Sequence, residues 1–298
     1  MTDQNDPIQW AEHLTEGIQH SLKMIAVGIR GFQARRETEQ QELSAAIAAN
    51  DTERVHELNW ILPSIDEEIA SLQNGLALRH KLQDRVHAAI EEFKSDTEPP
   101  ALDRDAVEAT KHELKRLRHT FRKSGLELRL TPGVSAKAIQ FAEAVTGLRF
   151  DDYLKAMWRI TDGSSEQYWF TDDGDAQYGL NNVFKFLPMS EALLSTWDSS
   201  TELLDENEVE DQAEEIQPLH IRHKRWFPFA EYSGIGKVQF DGDPTPAGKY
   251  GQIIMYIHDP DTVYLQSTSF IEFFRSSNRV LEEVLAADPD GLRERLVP

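Results

Sequence analysis

The sequence predicts an α+β protein in two parts: an N-terminal antiparallel helical hairpin or three-helix bundle, then a mostly antiparallel sheet with helices packed on it. Three observations predict this. From residue 8 to about residue 124, apolar side chains recur at intervals of three and four, which keeps them on one face of a helix. Beyond residue 130 the pattern becomes short runs of aromatic and β-branched residues between Gly, Pro and Asp turns, the composition of strands. Charge changes at the same place: residues 1–125 carry 16 bases and 22 acids, and residues 126–298 carry 15 and 30. Two domains are therefore expected, 1–130 and 131–298.

In the first part, Trp10, Leu14, Ile18, Leu22, Ile25, Ile29 and Phe32 form one stripe and predict a helix of roughly forty residues. It breaks at Asn50-Asp51. Val55, Leu58, Leu62, Ile65, Ile69, Leu72 and Leu76 then step alternately by three and four, a heptad seam suited to packing inside the hairpin or to self-association. Pro63 interrupts the seam, and Ser64 with Glu67 has the spacing of a capping box, so a kink or a restart is expected there. Leu82, Val86, Ile90 and Phe93 continue the stripe until Glu98-Pro99-Pro100 stops it. Asp103 is placed to cap a third helix through Val107, Leu114, Leu117 and Phe121 that ends at Gly125. In the second part the strand-like runs are Tyr168-Trp169-Phe170, Val183 to Leu187, Trp226 to Phe229, Lys237 to Phe240, Gln252 to Ile257 and Thr262 to Leu265. Helices are expected at about 136–146, 150–160, 190–196 and, after a Ser269 cap, 270–285.

Composition narrows function. With 31 Lys and Arg against 52 Asp and Glu, the net charge is −21. Affinity for phosphates comes from basic side chains, so no nucleic acid is expected as ligand and a basic partner is favoured. The chain has no Cys, hence no disulfide, thiolate nucleophile or Cys-ligated metal. Its N-terminus, Met1-Thr2-Asp3-Gln4-Asn5-Asp6, is polar and acidic where a secretory signal is basic and then apolar, and no stretch approaches the roughly 18 apolar residues of a membrane span. A cytoplasmic location with no membrane association is expected. His-Glu-x-x-His, nucleophile-elbow, Walker and dinucleotide fingerprints are all missing, so neither enzymatic activity nor a cofactor is expected.

The most specific signal lies between Trp226 and Phe274. It comprises Trp226-Phe227-Pro228-Phe229-Ala230, Gly234-Ile235-Gly236, the run from Phe240-Asp241-Gly242-Asp243-Pro244 to Tyr250-Gly251-Gln252-Ile253-Ile254, His258-Asp259-Pro260-Asp261, and Ser269-Phe270-Ile271-Glu272-Phe273-Phe274. This pattern resembles the SUKH superfamily, the domain of fungal cell-wall-assembly regulators and of many bacterial toxin-immunity proteins. Upstream, Leu148 to Leu154 and Thr161-Asp162-Gly163-Ser164 look like the family's early helix and the Asn-Gly-Gly-type turn after it, with the first Asn and second Gly replaced. The resemblance spans roughly residues 135–285. It implies a SUKH-like sheet domain and a non-enzymatic protein that binds a partner. The partner would be a cognate toxin with a basic cleft, neutralised by occlusion of its active site. The alternative it implies is a regulatory scaffold of the cell-wall type.

Candidate binding residues follow from chemistry and from this resemblance together. Trp226, Phe227, Tyr232 and Tyr250 are aromatics beside one Pro/Gly-rich loop, suited to core packing or to anchoring a partner. Asp241 and Asp243 in that loop suit either hydrogen bonding to its own backbone or contact with a ligand. His258 and Asp261, with Asp241 and Asp243, make the nearest approach to a metal-binding set and would serve a hydrolase, but no metal is expected. His220 and His223 sit among Arg222, Lys224 and Arg225, a cationic setting that repels metal. The partner-contact set is accordingly Trp226, Tyr232, Asp241, Asp243, Tyr250, His258 and Asp261. The basic third helix, with Lys111, Lys115, Arg116, Arg118, Arg122 and Lys123, is expected to complement acidic neighbours. Eight acids and no base lie between Thr201 and Ile216. A homodimer through the helical domain is compatible with the heptad.

Overall fold

The computed structural model describes the chain except residues 1–6, 94–97, 165, 173–181, 198–201, 204–212, 218–219, 233–234, 259–261 and 298. It divides into two compact units, Glu12–Ala88 and the remainder, Met1–Ala11 with Ala89–Pro298. No described helix is long and apolar enough to cross a membrane.

The first unit is an antiparallel hairpin of two long helices, α1 (Pro7–Ala49) and α2 (Thr52–Phe93). The turn between them rests on Asn50, held at φ 54°, a left-handed conformation that Asn tolerates better than most residues. The Asp51 carboxylate accepts the Arg54 N–H at 3.1 Å and starts α2. Near the turn Leu43, Leu58 and Leu62 are buried together with Val55 against them, so the heptad seam packs inside the hairpin. Further along, a Cβ on Gly28 would stand 3.3 Å from Leu72, so glycine lets the two helices approach closely there. Arg36 bonds Asp66 across the pair, and Arg54 bonds both Glu42 and Glu57. Pro63 lies inside a continuous α2. The capping box at Ser64 therefore starts no new helix, because packing of the seam on both sides outweighs the one hydrogen bond that Pro63 cannot donate.

The third helix, α3 (Arg104–Lys123), packs against α5 (Asp152–Ile160) and α7 (Phe270–Ala287) of the second unit. The first unit is therefore a hairpin of two helices, and α3 belongs to the second unit. The reason is chemical. Its inward face carries Glu113, 3% exposed, beside apolar Leu114, Leu117 and Phe121. Glu113 accepts from Arg116 at 2.7 Å and from Asn278 of α7 at 3.0 Å, while Arg116 reaches Glu282 of α7 at 2.7 and 3.0 Å. At its N-terminus the Asp103 N–H donates to Asp152 at 2.9 Å. Outside α3 itself, these groups find their partners on α5 and α7.

A six-stranded antiparallel sheet carries the rest. Its strands are β1 (Tyr168–Thr171), β2 (Val183–Phe186), β5 (Trp226–Tyr232), β6 (Gly236–Asp241), β7 (Gln252–Ile257) and β8 (Thr262–Ser267), in that spatial order. A separate two-stranded pair joins β3 (Glu202–Leu203) and β4 (His220–Arg222). Pro228 sits mid-strand in β5 without a donor, and the β5–β6 register shifts between Pro228 and Ala230, a bulge that accommodates it. Alternation along β5 sends Phe227 and Phe229 to one face and Trp226 to the other. The first face meets α5, α7 and Phe150, which precedes α5, in an aromatic layer. Phe150 lies 4.7 Å from Phe227, and Phe229 lies 5.4 Å from Phe270. On the opposite face Trp226, Ile254, Tyr256 and Val263 are covered by Ile216. The remaining helices are α4 (Ala136–Thr146), α6 (Met189–Trp197) and α8 (Pro289–Leu296).

The turn at Thr161 to Ser164 positions α6. Asp162 accepts the Met189 N–H at 2.8 Å. Gly163 has φ 90°, and a Cβ there would fall 2.8 Å from Pro188, so both dihedral and space demand glycine. Burial pushes the Asp162 carboxyl up to about 6, although its hydrogen bond to Met189 favours the charged form. A carboxyl raised on folding binds protons more tightly in the native state. Its stabilising contribution is therefore complete below about pH 4 and is lost as pH rises through 6. Asp162→Asn keeps the acceptor without the charge. It should match the parent at pH 4 and exceed its stability by about 1–3 kcal/mol at pH 7.5 in urea denaturation. Glu113→Ala should cost about 3 kcal/mol by stranding buried partners. Hydrogen exchange should speed up first in α3.

Candidate functional site

The loop joining β6 to β7 is built on Asp241, which is 0% exposed at the end of β6. One carboxylate oxygen accepts the Asp243 N–H at 2.9 Å, the turn expected of an Asp beside Gly and Pro. The other accepts from Gln252 Nε2 at 2.9 Å, and Trp226 is the residue opposite in β5. Gln252 is spent completely: its amide also donates to the Glu215 carbonyl at 3.0 Å, and its oxygen accepts the Lys249 N–H at 3.0 Å. Gly251, at φ 82° against the Phe240 ring, closes the loop with an N–H to the Asp241 carbonyl at 2.8 Å. Burial raises the Asp241 carboxyl above its ordinary range, opposed by these donors.

That buried hub holds an acidic and aromatic rim. Tyr250 is 44% exposed. Its hydroxyl accepts the Arg149 N–H at 2.8 Å, and its ring stands edge-on to Phe240 at 5.6 Å, so it projects in one fixed orientation. Asp243, half-exposed, lies 3.6 Å from His223 Nε2, and the His223 ring packs edge-on to Trp226 at 5.8 Å. The C-terminal end of the acid-rich stretch is fastened to the same loop. The Thr245 hydroxyl donates to the Glu214 carbonyl, and the Thr245 N–H donates to Glu215 at 3.1 Å. Ile216 beside them is buried on Trp226. The acids from Asp205 to Asp211 lie outside the described residues.

Tyr232 and His258 occupy the other end of the sheet. Tyr232 is half-buried, edge-on to Tyr168 at 5.8 Å. His258 is exposed, with its N–H on the Ile235 carbonyl at 2.7 Å and its ring 3.4 Å from the Tyr256 hydroxyl. The six residues of β7 separate this end from the Asp241 loop, about 20 Å at strand rise. Asp261 lies outside the described residues. The seven candidate residues are thus distributed. Trp226 and Asp241 are buried supports, Asp243 and Tyr250 share one rim, and Tyr232 and His258 share another. The set of His258, Asp241 and Asp243 considered for a metal is not brought together, because β7 places its members at opposite strand ends. Among the described residues no group of three or more His, Asp or Glu is placed to hold a metal ion.

Reasoning from sequence missed Arg149, Glu214, Thr245 and Gln252. Only Gln252 left a signal there, as a polar residue opening an otherwise apolar strand. Asp241→Ala should strand the donors of Gln252 and Asp243 and cost about 3 kcal/mol, measured by urea denaturation. Asp241→Asn, which keeps acceptor oxygen, should cost less. Exchange of the Asp243 and Gly251 amides should accelerate in both.

Comparison with known proteins locates this architecture. No curated protein matches the chain. A family model, SMI1 / KNR4 family (SUKH-1), matches residues 133–276. The match begins just before α4, takes in the whole six-stranded sheet and ends inside α7. It contains the Asp162 turn, the Asp241 hub and both rims, and leaves the hairpin and α3 outside. Residues 133–276 are therefore a SMI1 / KNR4 (SUKH-1) family domain.

Proposed function

We propose that this chain is a non-enzymatic binding protein of the immunity type, holding a cognate toxin whose basic cleft it occludes. The observation that carries this reading is the rim of the β6–β7 loop. An exposed Tyr250, pinned by the Arg149 N–H, stands on the same loop as Asp243, and Thr245 of that loop anchors Glu214. An aromatic ring held in one orientation loses little entropy on binding and suits an interface anchor. Carboxylates around it suit a basic partner. The sheet half supplies the wider field, with 15 bases against 30 acids over residues 126–298. Complementary fields raise association rates by about 10 to 10³. Affinity then comes from buried anchors over an interface of about 1,600 Å².

A second reading, a regulatory scaffold of the cell-wall type, draws on Trp60 of α2, which is 75% exposed and offers the hairpin an anchor of its own. A toxin gene next door favours the first reading, and an isolated locus favours the second.

Co-expression with the neighbouring toxin gene should restore growth, and the purified pair should form a complex at low salt. Tyr250→Ala should weaken that complex by about 30-fold. Asp243→Lys should slow association and flatten its salt dependence. No rescue together with no complex at low salt rejects the immunity reading.

A further inference from the structure

The hairpin carries an uncharged face that its own fold leaves uncovered. On α1, His20, Met24, Val27, Gly31, Ala34 and Thr38 recur at intervals of four and three, so they share one side of the helix. All six are exposed, Met24 at 58% and Val27 at 53%. A Cβ added to Gly31 would meet nothing within 4 Å. On the opposite side of α1, toward α2, the inner seam is thin. Leu22, Ile25, Ile29, Phe32, Leu72 and Leu76 are only half-buried, whereas Leu58, Leu62 and Ile65 nearer the turn are buried. A two-helix unit with so thin a seam gains from any further uncharged surface that it buries, and this face is such surface.

The distribution of charge selects the occupant. Residues 34–66, around the turn, carry seven acids and three bases. The rest of the hairpin, 12–33 and 67–88, carries five of each. Two hairpins laid side by side in parallel would set one acidic tip against the other. Laid antiparallel, each acidic tip faces a neutral half. Flanking the uncharged face are Arg30 and Glu37, both exposed. Turning one α1 end for end about a point near Ala34 sets Arg30 of each copy level with Glu37 of the other, twice by symmetry. This is the self-complementarity that a two-fold interface requires.

We propose that residues 12–88 pair with the same hairpin of a second copy in antiparallel orientation, through the Met24, Val27, Gly31 and Ala34 face of α1. The inference is independent of the immunity reading.

Sedimentation of the full chain should show a dimer that dissociates on dilution and weakens at 0.5 M salt. Arg30→Glu and Glu37→Arg should each weaken it by about tenfold at low salt, and the double exchange should restore it. Because the chain has no Cys, single cysteines report orientation. Ala34→Cys should cross-link between copies. Ala48→Cys should not, since fourteen residues from the axis places two copies of it about 40 Å apart. A monomer at all concentrations, a cross-link at both positions, or no rescue by the double exchange each overturns the proposal.

Discussion

The aromatic layer between the six-stranded sheet and its helices is the interaction on which the rest of this domain depends. Trp158, Phe170, Phe186, Phe227, Phe229, Phe240 and Phe270 are essentially inaccessible to water, and Phe150 is nearly so. Their rings meet mostly edge-on or tilted. Trp158 lies 5.8 Å from Phe227, and Phe170 lies 5.3 Å from Phe274. Each such ring removes about 150–250 Å² from water and gains further from its quadrupole. These residues come from α5 and the residue before its cap, from α7 and from four strands far apart in sequence, so the layer forms only when the whole domain closes. The loops that carry Asp243 and Tyr250 inherit their positions from it.

Within that dry interior the domain retains several acids, each answered by donors. Glu143 accepts the Phe150 N–H at 2.8 Å and faces Lys155 at 3.1 Å. Asp151 caps α5 through the Leu154 N–H at 2.7 Å, Asp162 holds the start of α6, and Asp241 organises the β6–β7 loop. Burial raises the carboxyls of Asp151, Asp162 and Asp241. Each is placed where a chain segment changes direction, so desolvation is tolerated in exchange for a defined turn. Part of the domain's large acidic content is therefore architectural, and only the exposed remainder is free to act on a partner.

The two units obey different physics. The sheet domain encloses its core on both faces of the sheet, with Ile216 at the end of the acid-rich stretch sealing the side opposite the helices. The hairpin has one seam between its two helices, whose middle is half-buried, so its stability rests on a narrow stripe with exposed ion pairs such as Arg54 with Glu42 and Glu57. Ion pairs of this kind contribute little each.

Much of this was legible in the sequence because helix and strand periods are local. The lengths of α1 and α2, the Asn50-Asp51 turn, the Asp103 cap and all six strands of the large sheet follow from residues within a few positions of one another. The turn chemistry of Asp241 is equally local. Tertiary structure alone decided that α3 joins α5 and α7, that Trp226 and Asp241 lie beneath the surface, and that Tyr232 and His258 stand a strand's length from Tyr250. It also decided that Tyr250 is locked by Arg149, 101 residues away. Periodicity shows that a face is apolar or that a group needs a partner. Which distant element supplies the cover or the donor depends on the closed core, and no short window of sequence contains it.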